Sequence, residues 1–391
     1  MDILTVLLWI TFVLLYPLGQ VFAIDFPSGI RVSPLDVGMT LLTVIGYGIF
    51  FTKRKPFPRY LFPMLGFYAT CILSLLVNIF VLPVHDVLIA SLYFLRFVDY
   101  TSIAVVISQL SEKKKQHVPF VFFMCGILLT ICGYIQYFLY PSLRNLIYDG
   151  WDQHLYRMFG TFLDPNFFGS FLVLFTLLCL YLYLEKRAYS LFYLVVAGVG
   201  SSAVFLSFSR SAYIALGTGV VVLLFLKGYR KLIGASMVIL LVTGIIIVFL
   251  FAKQSEGTNL LRTASTAARF DNLFRAMAII KDSPVFGVGF DAYRYAQLKK
   301  GFIATSGWES THNGGGVNNS YFFVWATTGI IGLLAYLFFL RTIFVSSVKK
   351  KGIGVLVLAS FAAMSVNAIF ENTLFYPSIM AWLWVLAGLI I

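Results

Sequence analysis

Leu232-Ile-Gly-Ala-Ser-Met-Val-Ile-Leu-Leu-Val-Thr-Gly-Ile-Ile-Ile-Val-Phe-Leu-Phe-Ala252 contains no charged residue, and it is followed by the longest polar stretch of the chain, 253–318. At a rise of about 1.5 Å per residue, a helix of this length crosses roughly 30 Å of hydrocarbon. Comparable runs recur near 3–22, 35–52, 60–82, 87–110, 118–140, 166–184, 188–207, 211–226, 319–340, 352–370 and 376–391. The predicted fold class is therefore all-α: a polytopic integral membrane protein with about twelve transmembrane helices. Residues 1–391 form a single membrane domain in this reading. The runs are continuous rather than alternating, which argues against a β-barrel. With 60% hydrophobic and only 12% charged residues, the chain has too little polar surface for a soluble domain.

The net charge of +13 invites a nucleic-acid partner, but its distribution points to topology instead. Lysines gather in short breaks: Lys53-Arg54-Lys55 with Arg59, Lys113-Lys114-Lys115, Lys186-Arg187, Lys227 with Arg230-Lys231, and Lys349-Lys350-Lys351. Placing these inside puts both termini in the cytoplasm. The N-terminal run, lacking a basic lead-in and a small-residue cleavage signal, reads as a retained span. Cys71, Cys125, Cys132 and Cys179 all fall inside predicted spans and offer neither a disulfide framework nor a metal site.

The outer face then receives the Ile24–Pro34 loop, the Pro83–Asp86 turn, the Pro141–Pro165 loop, the Ser207–Ser211 turn, the long 253–318 segment and Glu371–Pro377. Its basic residues are mostly arginines: 144, 157, 210, 262, 269, 275 and 294. Arginine holds phosphate with a planar fork and stays charged when partly desolvated, so an arginine-lined vestibule suits an anionic ligand. Within the long segment, Ala264–Lys281 has helical periodicity, with an apolar stripe of Ala267, Phe270, Leu273, Phe274, Met277 and Ile280. We expect it to lie along the outer leaflet surface. Asp282-Ser-Pro284 ends it, and Gly287-Val-Gly289 makes a tight turn.

His312, the only histidine of this segment, is a candidate base for a sugar hydroxyl. It stands before the glycine run 314–316, which suits either gating or a plain linker. Arg96 and Asp99 share one helical face inside a span, either paired to each other or turned toward a polar cavity. Asp164 or Asn166 is expected to cap the helix that follows them.

These pieces resemble the O-antigen ligase/Wzy-type polymerase family of bacterial membrane glycosyltransferases, GT-C-like enzymes. The likeness rests on Arg157-x-x-Gly-Thr-Phe-x-Asp-Pro-Asn166, Ser207-x-Ser-Arg210-Ser, Arg269 with Asp282-x-Pro-x-x-Gly-x-Gly289, and Asn319-Ser-Tyr321 followed by Gly329-Ile-Ile-Gly332. The resemblance implies a metal-independent, cofactor-free transfer of glycan from an undecaprenyl-pyrophosphate carrier to a sugar hydroxyl, outside the cytoplasmic membrane of a bacterium. Its implied catalytic set is Arg157, Arg210 and His312. Its implied substrate-binding set is Arg269, Arg275, Asn318, Asn319, Tyr321, Asp164, Asn166 and Glu371. The implied partners are the lipid-linked oligosaccharide, a glycan acceptor, membrane lipids and other polysaccharide-assembly proteins.

One position departs from the family pattern. Where ligases carry histidine nine residues and one further step before the Gly-x-x-Gly pair, this chain has Asn318, and His312 stands six residues earlier. Either the glycine run lets His312 reach the site, or the protein works without a histidine base. The alternative function is a transporter or flippase for an anionic solute or lipid-linked glycan, which calls for ionisable groups on several spans and, commonly, repeats. A third reading is a structural partner in an envelope assembly.

Overall fold

Runs of Leu, Ile, Val and Phe become helices here because hydrocarbon offers no partner for the backbone, so each segment must satisfy its own N–H and C=O groups. The computed structural model describes residues 3–26, 30–52, 61–149, 151–185, 190–253, 255–260, 263–303 and 316–391. His312, Arg262 and the basic residues Lys53, Arg54, Lys55, Arg59, Lys186 and Arg187 lie outside these residues.

In chain order, α1 (Ile3–Trp9) continues through a wider turn and a tighter one to Leu18, and is followed by α2 (Pro34–Thr52), α3 (Leu61–Val77) and α4 (Val84–Ser108). Next come α5 (Glu112–Lys115), α6 (Val118–Leu139), α7 (Pro165–Leu184), α8 (Ser190–Leu206), α9 (Arg210–Leu226) and α10 (Arg230–Phe251). The last group is α11 (Ala264–Asp282), α12 (Tyr293–Lys299), α13 (Ser320–Lys349), α14 (Ile353–Asn367) and α15 (Pro377–Gly388). Among the described residues, six helices are long and apolar enough to cross a membrane: α2, α4, α5 continued into α6, α7, α10 and α13. Six shorter apolar helices lie among them.

Three local expectations need correcting. The Ile24–Pro34 loop contains a hairpin, β1 (Ile24–Phe26) with β2 (Ile30–Val32), antiparallel with Asp25 opposite Arg31. Val84, His85 and Asp86 form the first turn of α4 rather than a loop, because Pro83 supplies the extended residue that starts a helix. On α11, Ala276, Ile279 and Ile280 are buried, whereas Phe270 and Phe274 of the predicted stripe stay exposed.

Helix α7 lies at the centre, packed on α6, α8, α9 and α14. Glycines of its neighbours make room for its larger side chains. A Cβ on Gly126 would sit 2.0 Å from the Phe175 ring, and one on Gly219 2.5 Å from Leu177. Small residues at helix crossings serve this purpose wherever lipid cannot drive association.

The most consequential feature is a break in α13. Gly329 has φ +68°, so the helix is interrupted between Thr328 and Ile330. A turn segment, 284–289, fills the break. Val288 and Gly289 donate backbone N–H groups to the carbonyls of Ala326 and Thr327, each at 3.0 Å, and Ile330 N–H donates to the Pro284 carbonyl at 2.9 Å. From α3, Ser74 donates to the Thr327 carbonyl at 2.6 Å, and the residue just beyond it, Asn78, donates to the Gly287 carbonyl at 3.0 Å. The two chains approach so closely that a Cβ on Gly329 would lie 2.0 Å from the Val285 carbonyl oxygen. A Cβ on Gly287, itself at φ +68°, would lie 2.4 Å from Thr327 backbone. The Asp-x-Pro-x-x-Gly-x-Gly and Gly-x-x-Gly patterns are thus two halves of one backbone clamp.

Replacing Gly329 by alanine should therefore destabilise the protein by at least about 2 kcal/mol, since the new methyl meets backbone at an unfavourable φ. Gly48→Ala, where no atom lies within 4 Å, should leave stability unchanged or slightly raised. Thermal unfolding of both variants in detergent checks the contrast.

Candidate functional site

Arg157 is buried, 5% exposed, yet sits in a loop. Three hydrogen bonds hold its guanidinium: Nε donates to the Ser207 carbonyl at 2.9 Å, and Nη2 donates to Asn166 Oδ1 at 3.0 Å and to the Phe208 carbonyl at 3.3 Å. The carbonyls belong to the tight α8–α9 turn, where Phe208 is held at φ +49°. Left-handed backbone at a bulky residue persists only when its surroundings over-determine it. Arg157 is therefore the brace of the turn that launches Arg210, the first residue of α9.

Arg210 donates to the Leu260 carbonyl at 3.3 Å and to Thr266 on α11 at 3.2 Å. Arg269, one helical turn further along α11, forms an ion pair with Glu371 in the α14–α15 connection. Arg210 and Arg269 are close enough to repel one another. Asp164 caps α7, accepting from the N–H groups of Asn166 at 2.7 Å and Phe167 at 3.3 Å, as its position predicts. Burial pushes its carboxyl above the usual carboxylate range, opposed by those N–H donors and by Arg157 and Arg269.

Two spaces meet at Arg269. A polar cavity of about 700 Å³ is lined by Arg157, Asp164, Asn166, Arg269, Arg275 and Glu371, together with residues of α4 and α12. An apolar groove of about 560 Å³ runs past Arg210, Ile214, Phe270, Leu273, Phe322, Ile369 and Phe370. Arg269, Asn272, Val317 and Asn318 line both. A charged head group at that junction could extend an apolar tail one way and a polar chain the other.

The sequence-derived residues divide accordingly. Arg157, Asp164, Asn166, Arg269, Arg275, Asn318 and Glu371 come together around the polar cavity, and Arg210 joins them at the groove. Arg275 pairs with Asp271 at 2.6 Å and donates to the Phe302 carbonyl at 2.6 Å. Asn319 also lines the groove, while its side chain caps α13, accepting from Tyr321 and Phe322 N–H groups at 2.9 and 3.0 Å. Tyr321 lines neither space, and its hydroxyl donates to the Ser365 carbonyl at 2.9 Å. His312 lies outside the described residues. Among the described residues, no group of three or more His, Cys, Asp or Glu side chains is placed to hold a metal ion.

The cavity wall also carries Tyr93 and Arg96 from α4, His154, Asp291, and Arg294 from α12. The sequence placed Arg294 among the arginines of an external vestibule and turned Arg96 toward Asp99 or a polar cavity, but it assigned no role in the site to Tyr93, His154 or Asp291. Arg96 does not pair with Asp99. Its Nε donates to Asp36 of α2 at 3.0 Å, while Asp99 accepts from Thr40 at 2.9 Å. Helical spacing showed the shared face but not the neighbour across it. His154 and Asp291 stand at φ +43° and +61°. Burial raises the Asp291 carboxyl to about 7, opposed by Arg294 and Arg96.

Fold and site together describe a helical protein with membrane-spanning helices and an arginine-lined cavity that opens beside an apolar groove. The O-antigen ligase family pattern (Wzy_C) matches residues 192–337, so the resemblance read from the sequence holds over that part of the chain. That stretch includes Arg210, Arg269, the clamp and the start of α13. The chain is also similar to an uncharacterized protein of Haemophilus influenzae, 30% identical over 172 residues, 39% of this chain. It spans about two fifths (41%) of that relative's length.

Arg157→Lys should lower the midpoint of thermal unfolding in detergent, because an ammonium keeps the charge but cannot serve both carbonyls of the turn and Asn166 together. Each buried acceptor left unpaired costs about 1–3 kcal/mol. An unchanged midpoint would show that the turn does not depend on the fork.

Proposed function

We propose that this protein is a membrane glycosyltransferase of the O-antigen ligase or polymerase type, acting on the outer face of a bacterial cytoplasmic membrane. In this reading the chain is one membrane domain of about twelve spans with both termini inside, and 253–318 is its long external segment. The donor is a glycan carried on undecaprenyl pyrophosphate, and the acceptor is a sugar hydroxyl. The observation that carries the proposal is the pair Arg210 and Arg269, two like charges held together where the polar cavity meets the apolar groove. Arg269 is paired with Glu371 on one side and still bears on Arg210, and a pyrophosphate that reached both guanidiniums would offset that repulsion.

The same placement supplies the chemistry. As the bond from the anomeric carbon to the pyrophosphate oxygen breaks, negative charge builds on the leaving group. Arg210 and Arg269 face that charge without first having to reorganise. The isoprenoid tail follows the groove along Phe270, Leu273, Phe322 and Phe370, and the sugars occupy the polar cavity. Arg157 positions Arg210 through the α8–α9 turn. Arg275, Asn318 and Glu371 remain proposed substrate contacts, while Asp164, Asn166 and Asn319 contribute chiefly by holding helix starts. Family likeness over 192–337 supports the reaction class.

Arg210 is the cleanest residue to test, because its partners are neutral and its removal strands no carboxylate. In a strain producing Arg210→Ala at matched membrane levels, long-chain polymer or ligated glycan should fall by about 100-fold or more, and lipid-linked donor should accumulate. Normal glycan from that strain would sink the assignment.

A further inference from the structure

The polar cavity holds two groups of charges. At one end are Arg157, Asp164, Arg269 and Glu371, with Arg210 beyond them. At the other, Asp291 lies with Arg96 and Arg294, and Tyr93 and Tyr295 share that part of the wall. The proposed pyrophosphate site occupies the first end and leaves the second without a task.

The second end is built with unusual rigidity for a loop. Gly287 and Gly289 are pinned in the α13 break, and Phe290, 2% exposed, is wedged among the rings of Phe67, Phe94, Phe97, Phe323 and Phe375. Ala292 N–H closes onto the Gly289 carbonyl at 2.9 Å. Asp291, between two fully buried neighbours, is forced to φ +61° and lines the cavity. A strained carboxylate held this firmly from both sides is a mark of a functional position. Its surroundings suit a sugar: aromatic side chains of Tyr93, Phe97 and Tyr295 in the wall, a carboxylate to accept from hydroxyls, and guanidiniums to donate to them. Arg96 is already paired with Asp36, so it does not fully neutralise Asp291.

We propose that this end of the cavity is the acceptor subsite, and that Asp291 takes the proton from the acceptor sugar hydroxyl as that oxygen attacks the donor. The inference rests on the transferase reading above and adds the acceptor's place and the base. In the step, the acceptor O–H bond breaks and its proton passes to the Asp291 carboxylate. The oxygen forms a bond to the anomeric carbon of the donor sugar. The bond from that carbon to the pyrophosphate oxygen breaks, and its electron pair leaves with undecaprenyl pyrophosphate at Arg210 and Arg269. Protonated Asp291 then returns its proton to water.

A carboxyl titrating near 7 is poised for this transfer at neutral pH, because a base works best when its pKa lies close to the ambient value. The charged and titratable groups facing it are Arg96 and Tyr93 from α4 and Arg294 and Tyr295 from α12, with Asp86 acting on Tyr295 from the start of α4. Only the deprotonated carboxylate accepts a proton, so the rate should rise with pH through about 7 and level off above it.

The test uses the purified full-length protein and, as donor, the undecaprenyl-pyrophosphate glycan that accumulates in a strain deleted for it. Asp291→Asn and Asp291→Gly both tolerate the left-handed backbone and so keep the fold. Both should lower kcat by about 100-fold or more, while binding of undecaprenyl pyrophosphate stays within about threefold of wild type. Added formate should restore part of the Asp291→Gly rate, and the acid limb of the wild-type pH profile should be absent from the residual Asp291→Asn rate. Near-wild-type turnover in either variant, or a parallel loss of undecaprenyl pyrophosphate binding, overturns the role of Asp291 and leaves the transferase assignment standing. No transfer by the wild-type protein from the same donor overturns both.

Discussion

A helix interrupted inside a membrane domain exposes backbone groups that neither lipid nor its own next turn can satisfy, and the break at Gly329 is resolved by importing another stretch of backbone. The 284–289 segment donates to Ala326 and Thr327 and accepts from Ile330, while Ser74 adds a second donor to the Thr327 carbonyl and Asn78 serves that of Gly287. Each of those groups would cost several kcal/mol if left unpaired in hydrocarbon. The clamp therefore joins α3, α13 and the segment after α11 into one unit. Everything that lines the cavity from that side, from Arg269 on α11 to Asp291 and Arg294, takes its position from it.

On the opposite wall the organising group is Arg157. A buried guanidinium is expensive unless its donors are used, and here they hold the two carbonyls of a strained turn and the side chain of Asn166. The result is a division of labour among arginines that look alike in the sequence. Arg157 is spent on architecture, Arg269 is balanced by Glu371, and Arg210, among the described residues, hydrogen-bonds neutral partners and is repelled by Arg269. The proposed pyrophosphate site would profit from this arrangement, since part of its positive field is left uncancelled by the protein itself.

Much of this was visible in the chain before folding. The periodicity over Ala264–Lys281 anticipated α11 to within a residue, Asp164 stood where a cap belongs, and Ser207–Ser211 marked the tight turn. The patterns behind the family likeness were also legible, although their purpose was not. Gly287, Gly289 and Gly329 read as turn or motif glycines, and nothing local said that they face each other. Arg96 and Asp99 were rightly placed on one face, yet Arg96 found Asp36 on a different helix. Asp291 read only as one of several acidic residues able to pair with the external arginines, because a single carboxylate beside an aromatic has no periodicity and no spacing to set it apart.

Hydrophobicity, helix ends and charge bias are properties of short stretches, which is why the amino-acid sequence alone determined a helical protein with membrane-spanning helices and an arginine-rich polar segment. Which arginines share a site was decided by tertiary structure. The partners that sort them are mostly backbone carbonyls: Ser207 and Phe208 for Arg157, Leu260 for Arg210, Phe302 for Arg275. A carbonyl is present at every position whatever the residue. Its availability depends on where helices end and which distant segment approaches, and only the folded backbone specifies that.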